Sequence, residues 1–67
     1  MVNTMLLDWR IREMRLKYKD LARVLGLSPY TLYRKRHGEK EFTVREMLTL
    51  CRVLELSEAE RDEIFFG

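Results

Sequence analysis

The chain has 67 residues, enough for one domain covering 1–67, and a chain of this size buries only about 60% of the surface that it exposes when unfolded. One cysteine and one histidine exclude an internal disulfide and a zinc site, and the absence of any run of about 20 apolar residues excludes a membrane helix. The net charge of +2 is divided unevenly, since residues 1–40 contain ten Lys and Arg against four acidic residues (+6) and residues 41–67 contain three against seven (−4).

The first predicted helix runs from Asn3 or Thr4 to about Met14. Leu7, Ile11 and Met14 recur at helical spacing, which predicts that they share a buried face, whereas the pattern does not decide whether Trp9 is buried. The positive charges of this segment are interpreted as a solvated surface: Arg10, Arg12 and Arg15.

A second helix is predicted over Tyr18–Leu25. Leu21, Ala22 and Leu25 fall on one of its faces, and the small Ala22 suits a point where another helix crosses closely. Gly26 follows at the position where a chain leaving a helix commonly needs a positive φ. We therefore expect this helix to end at Gly26.

A third helix, Pro29–Arg36, is expected to begin almost at once. Ser28 offers a side-chain oxygen to cap it, and the missing N–H of Pro29 is not needed at the first helical position. The two helices and their tight turn form a helix-turn-helix. The outward face of the third helix mixes aromatic and cationic side chains, which suit phosphates and base edges: Pro29, Tyr30, Tyr33, Arg34 and Arg36.

Two further helices are predicted after a polar loop that contains Gly38. Capping boxes at Thr43-x-x-Glu46 and Ser57-x-x-Glu60 start them, and they should extend to about Leu54 and Phe66. The fourth helix is expected to bury one face, with Cys51 as a small core residue: Val44, Met47, Leu48, Cys51 and Leu54. The expected fold class is all-α, a compact five-helix domain with a central helix-turn-helix and no strand.

These features resemble the phage Cro and repressor (XRE-like) family of helix-turn-helix DNA-binding domains over nearly the whole chain. The residues that carry the resemblance are Leu21-Ala22, Leu25 to Ser28, Thr31-Leu32, His37-Gly38, Phe42 to Glu46 and Ser57 to Phe66. The chain departs from the family at three positions. Lys17 replaces a capping Ser or Thr, Tyr18 replaces a Gln that often contacts a phosphate, and Lys35 replaces an apolar residue. We expect the Lys35 stem to lie over the core with its ammonium group in solvent, loosening the helix end.

The resemblance implies a lambda-repressor-like arrangement in which the second motif helix enters the major groove and the first braces against the DNA backbone. The base-reading residues would be Pro29, Tyr30, Thr31, Tyr33 and Arg34. The phosphate-binding residues would be Tyr18, Lys19, Arg23, Arg36, His37 and Lys40. Arg34 is the foremost candidate, because its guanidinium can present two donors to a guanine.

Three of these assignments have structural alternatives. Tyr33 could pack against the first helix, Thr31 could hydrogen-bond within its own helix, and His37 could serve only to close a loop. The apolar terminus suggests self-association into a homodimer, at least on DNA, because an aromatic ring not needed by the core would be exposed. Its candidate residues are Ile64, Phe65 and Phe66.

We predict a sequence-specific regulator of transcription that binds a double-stranded DNA operator, of phage or prophage type, in the bacterial cytoplasm and associated with the nucleoid. No cofactor or small-molecule ligand is expected. The alternative is a protein-interaction module on the same scaffold, of antitoxin or antirepressor type. An enzyme is disfavoured, because the single His37 lies in a loop, Cys51 is interpreted as core, and the three glycines form no phosphate-binding loop.

Overall fold

The computed structural model describes residues 2–67 and contains five α-helices in that range. They are α1 (Thr4–Glu13), α2 (Tyr18–Leu25), α3 (Pro29–Arg36), α4 (Val44–Val53) and α5 (Glu58–Phe65). No strand occurs in this part of the chain. The predicted all-α fold with a central helix-turn-helix is confirmed. None of the helices described is long and apolar enough to cross a membrane.

Side-chain caps explain where most of the helices begin. Ser28 accepts a hydrogen bond from the backbone N–H of Thr31 at 3.1 Å, as expected for the start of α3. Complete capping boxes at Thr43 and Ser57 start α4 and α5. By contrast, the side chain of Lys17 makes no capping hydrogen bond at the start of α2.

Four helices end through a residue in the left-handed region. Gly26 (φ 73°) and Gly38 (φ 80°) adopt this conformation without a steric penalty. Arg15 (φ 56°) and Glu55 (φ 53°) take the same role after α1 and α4, although each carries a Cβ. These turns are short, so consecutive helices reverse sharply and enclose a small core.

The core lies where all five helices converge. Ala22 is completely buried, and α2 packs against both α3 and α4, which explains the need for a small side chain at this position. As predicted, Leu7 and Ile11 are buried, whereas Trp9 is 56% exposed. The buried apolar residues are Leu7, Ile11, Leu21, Ala22, Leu32, Leu50, Leu54, Ile64 and Phe65.

The prediction for the buried face of α4 was partly wrong. Val44 and Leu48 are 68% and 55% exposed, although their spacing placed them with the core residues. Leu54, which the predicted face included, and Leu50, which it did not, are both completely buried. Cys51 packs at the edge of the core, where burial raises the pKa of its thiol. Periodicity showed that α4 is amphipathic but placed the centre of its apolar face too far to one side.

Lys35 also departs from its predicted position. Its side chain is buried, and its ammonium group donates to Glu46 Oε1 at 2.5 Å instead of reaching solvent. The same oxygen accepts the backbone N–H of Thr43 at 2.9 Å. Desolvation favours the neutral carboxyl, but the hydrogen bonds from Lys35 and Thr43 and the positive charge of Lys35 together outweigh it and lower the pKa of Glu46. The pair joins the end of α3 firmly to the start of α4.

Arg10 is a structural residue, which corrects its interpretation as part of a solvated surface. Its Nε donates to the carbonyl of Leu54 at 2.9 Å, and its Nη2 donates to the carbonyl of Glu55 at 3.1 Å. The carbonyls at the end of a helix lack partners within the helix. Arg10 therefore caps the C-terminus of α4 from α1.

Candidate nucleic-acid interface

One side of α3 faces away from the core. Leu32 and Lys35 are buried and lie on the same side of α3, because they are three residues apart. The residues on the opposite side of the helix therefore project outward. Pro29 and Tyr30 lie in the first turn, and both are exposed, Tyr30 by 69%. The first turn of α3 is thus open to a partner.

Arg34 lies one helical turn after Tyr30 on the same side. Its side chain is 40% exposed, and its Nε lies 3.7 Å from Glu39 Oε1. The backbone N–H of Glu39 also donates to the carbonyl of Arg34 at 2.9 Å. The sequence interpretation assigned Glu39 no role. Gly38 could have indicated the position of Glu39, because a glycine that ends a helix brings the following residue against the last turn of that helix.

Thr31 belongs to the cap of α3. Its hydroxyl accepts a hydrogen bond from Ser28 Oγ at 3.0 Å, and the side chain is partly buried. The hydroxyl proton of Thr31 is not used in this contact, so Thr31 retains one donor. This hydrogen bond joins Thr31 to the capping side chain of Ser28 and not to a backbone carbonyl of α3.

Tyr33 and His37 form an aromatic pair near the end of α3. Their ring centroids lie 4.3 Å apart with an interplanar angle of 49°. Tyr33 is 44% exposed, and His37 is also exposed. Both rings therefore remain on the surface, where they extend the side of α3 formed by Tyr30 and Arg34.

Arg36 is held inside the protein by α1 and α2. Its Nη1 donates to Asp8 Oδ1, and its Nε donates to the hydroxyl oxygen of Tyr18 at 3.2 Å. The guanidinium also lies over the rings of Tyr18 and Tyr33, 5.2 and 5.7 Å from their centroids. Only 17% of the Arg36 side chain is exposed. This geometry does not favour the predicted phosphate contact, since Nε and Nη1 already donate to protein acceptors.

The contact between Tyr18 and Arg36 changes the pKa of both side chains. Desolvation raises the pKa of the Tyr18 hydroxyl, and the nearby Arg36 offsets part of the rise. For Arg36, desolvation lowers the pKa, but the contacts with Asp8 and Tyr18 together outweigh it, so its pKa is raised. Thr4 Oγ1 also donates to the backbone carbonyl of Arg36 at 2.7 Å. No local sequence signal pointed to Asp8 or Thr4, because each lies about 30 residues from Arg36.

The remaining predicted phosphate contacts lie on the surface. Lys19, Arg23 and Lys40 are exposed. Arg23 Nη1 lies 3.6 Å from Asp20 Oδ1, but both side chains are largely exposed, so the ion pair is weak. Lys40 lies in the loop after α3. Lys19 and Arg23 belong to α2, so these cations come from the two elements next to α3 in the chain.

The predicted self-association residues separate into two groups. Ile64 and Phe65 are buried in the core, 3% and 8% exposed, whereas Phe66 is 65% exposed. The assignment of Ile64 and Phe65 to a surface therefore needs correction. Phe66 lines an open groove of about 620 Å³ with Val44, and the other residues that line it are Val2, Gly38, Lys40, Glu41, Phe42, Thr43, Met47 and Phe65.

No group of three or more metal-ligating side chains occurs within residues 2–67. The sequence model of a family described as Cro/C1-type HTH DNA-binding domain matches residues 7–60. That range includes every element from the second half of α1 to the first turn of α5. No curated protein and no solved structure matches the chain.

Proposed function

The chain belongs to the Cro/C1-type helix-turn-helix DNA-binding domains, and we propose that it is a sequence-specific regulator of transcription acting at a double-stranded DNA operator. In this proposal residues 1–67 form one DNA-binding domain of phage or prophage type that acts in the bacterial cytoplasm at the nucleoid. The helix α3 enters the major groove, and α2 lies against the DNA backbone.

The observation that carries the proposal is the pair formed by exposed Tyr30 and partly exposed Arg34 on α3. The two side chains lie one turn apart on a side that no other helix covers. An arginine can donate two hydrogen bonds to guanine O6 and N7, and a tyrosine can contact a thymine methyl or hydrogen-bond through its hydroxyl. Pro29, Thr31 and Tyr33 complete the base-reading set that we propose.

The phosphate contacts that we propose come from the exposed cations Lys19, Arg23 and Lys40 and from His37. Tyr18 can still donate its hydroxyl proton, because its oxygen acts as the acceptor for Arg36. Arg36 is kept in the proposal as the residue that holds α3 in place. Phosphate contacts supply affinity for any sequence, whereas base contacts discriminate.

The test is selection of a duplex from a random-sequence pool, followed by titration of the selected duplex and a scrambled one. Wild-type protein should bind the selected duplex at least about a thousandfold more tightly. Arg34→Ala should lose about 1–3 kcal/mol and relax preference at one base pair. Arg12→Ala is the control, because Arg12 is exposed on α1 and lies outside the proposed interface. Equal binding of both duplexes by wild-type protein would refute the proposal.

We also propose that two copies associate on the operator through the groove that Val44 and Phe66 line. The floor of the groove is apolar, because Phe42 and Met47 line it together with Val44 and Phe66. A two-fold axis would place this floor against the same floor of the second copy, as in protein interfaces that have an apolar core. The two copies would then read half-sites about 34–36 Å apart.

The stoichiometry on a selected palindrome tests this second copy. Val44→Asp should abolish the two-protein complex and leave binding to one half-site intact, because an acidic residue in the first turn of α4 is compatible with the helix dipole. Met5→Asp places the same charge in the first turn of α1 at an exposed residue outside the groove. Sedimentation velocity with labelled DNA distinguishes the two complexes. Loss of the two-protein complex in both variants alike would contradict the assignment.

A further inference from the structure

Glu39 is an acidic side chain beside the proposed base-reading arginine. A carboxylate near DNA repels the phosphates, so it weakens binding to every sequence unless it has a specific role. Two contacts place it against Arg34: the ion pair at 3.7 Å and the backbone hydrogen bond at 2.9 Å.

The backbone geometry after α3 places Glu39 where it is. Gly38 adopts a φ of 80°, its N–H donates to the carbonyl of Lys35 at 3.1 Å, and the N–H of Glu39 donates to the carbonyl of Arg34. These two bonds form the turn known as the Schellman motif. The turn brings the chain back along the last turn of α3, so the Glu39 side chain returns to the guanidinium.

The position of the carboxylate on the guanidinium is specific. It lies beside Nε, which leaves the two terminal nitrogens of Arg34 for a guanine. The ion pair is weak, because both side chains are partly exposed. It nevertheless restricts the rotamers of Arg34, so less rotamer freedom is lost when the guanidinium binds a base. A guanidinium that turned toward a phosphate would lose the ion pair with Glu39. The contact therefore makes phosphate binding by Arg34 less favourable than base binding.

We propose that Glu39 is a specificity-determining positioning residue that orients Arg34 for base readout. This inference rests on the proposed function of Arg34. Glu39 lowers affinity for all duplexes through repulsion and raises discrimination between duplexes through Arg34. The two effects have opposite signs, which separates this role from a structural one.

The experiment compares Glu39→Gln with Glu63→Gln on a selected duplex and on the same duplex with the guanine read by Arg34 replaced. Both residues are exposed, so the change in charge is matched, and Glu63 lies on α5 outside the proposed DNA interface and the groove. Glu39→Gln should lower the ratio of the two affinities about three- to tenfold and increase affinity for the substituted duplex. Glu63→Gln should leave the ratio unchanged, and thermal melting should show that both variants fold.

A second comparison isolates the route through Arg34. In an Arg34→Ala background, Glu39→Gln should no longer change the ratio, because the oriented side chain is gone. A change that persists there would mean that Glu39 contacts a base itself and would overturn the inference. Equal ratios for the Glu39 and Glu63 variants would also overturn it. The absence of any preference in wild-type protein would instead refute the proposed function of the domain.

Discussion

Arg36 at the end of α3 donates a hydrogen bond to Asp8 of α1, which ties the proposed recognition helix to a helix outside the helix-turn-helix. The pair is largely buried, with side chains 17% and 31% exposed. The backbone carbonyl of Arg36 also accepts a hydrogen bond from the hydroxyl of Thr4, which lies one helical turn before Asp8. α1 thus holds α3 through both its side chain and its backbone.

Replacing Asp8 should destabilise the fold. Asp8→Asn keeps the shape but removes the charge that faces Arg36, and we expect a loss of about 1–2 kcal/mol in the free energy of unfolding. Urea denaturation measures it. Asp20→Asn is the matched control, because Asp20 pairs with Arg23 in an exposed position and should cost less than about 0.5 kcal/mol. Equal losses would contradict the structural role of Asp8.

The salt dependence of DNA binding should separate Lys40 from Arg36. Lys40→Ala should lower the slope of log affinity against log salt by about one, because one phosphate contact is lost. Arg36→Met should lower stability but leave the slope unchanged, since the Arg36 guanidinium bonds within the protein. The titrations are made at a temperature at which circular dichroism shows both variants folded. A reduced slope for Arg36→Met would reassign Arg36 to the backbone contacts.

Stability should fall as the pH is lowered through the titration of Glu46. Its pKa is lower in the folded state than its usual value, so the contribution is present above the unfolded pKa and is lost as pH falls through the folded pKa. We expect the loss between about pH 5 and pH 3. Glu46→Gln should be less stable than wild type at pH 7, because Lys35 loses its charged partner.

The difference between wild type and Glu46→Gln should shrink toward pH 3. Protonated glutamic acid resembles glutamine in charge and shape, so the two proteins should converge. Melting temperatures at pH 7, 5 and 3 provide the measurement. A difference that stays constant over this range would show that the ion pair with Lys35 does not contribute.

Glycine should stabilise the protein at the two left-handed positions occupied by other residues. Arg15→Gly and Glu55→Gly relieve the steric cost of a Cβ at positive φ, and we expect each to add about 0.5–1 kcal/mol. Arg12→Gly is the control: it lies within α1, where glycine should cost about 1 kcal/mol. Thermal unfolding measures the three variants. A change of all three melting temperatures in the same direction would contradict the prediction.

Arg10 should be required for the end of α4. Arg10→Met keeps most of the apolar stem but removes the donors to the carbonyls of Leu54 and Glu55, and we expect a loss of about 1–2 kcal/mol. Arg12→Met makes the same change on an exposed part of α1. Hydrogen exchange should show faster opening of the last turn of α4 in the first variant. Unchanged exchange there would contradict the cap.

The helices and the class of DNA-binding domain were predictable because their signals are local. Gly26, Ser28 and Pro29 determine a turn within a few residues, and the capping boxes at Thr43 and Ser57 act within three. Each needs only the residues beside it. The boundaries of all five helices consequently agree with the predicted ones to within one or two residues.

The contacts between helices were not predictable, because they join residues far apart in the chain. The sequence alone determined that α3 has an outward face with Tyr30 and Arg34, since helical periodicity sorts side chains within one element. Only the tertiary structure decided that Arg36 turns inward to Asp8, that Lys35 is buried against Glu46, and that Phe65 packs inside while Phe66 does not. The charge and hydrophobicity of a side chain determine which groups it can bind, but the packing of the helices determines which of those groups lies within reach.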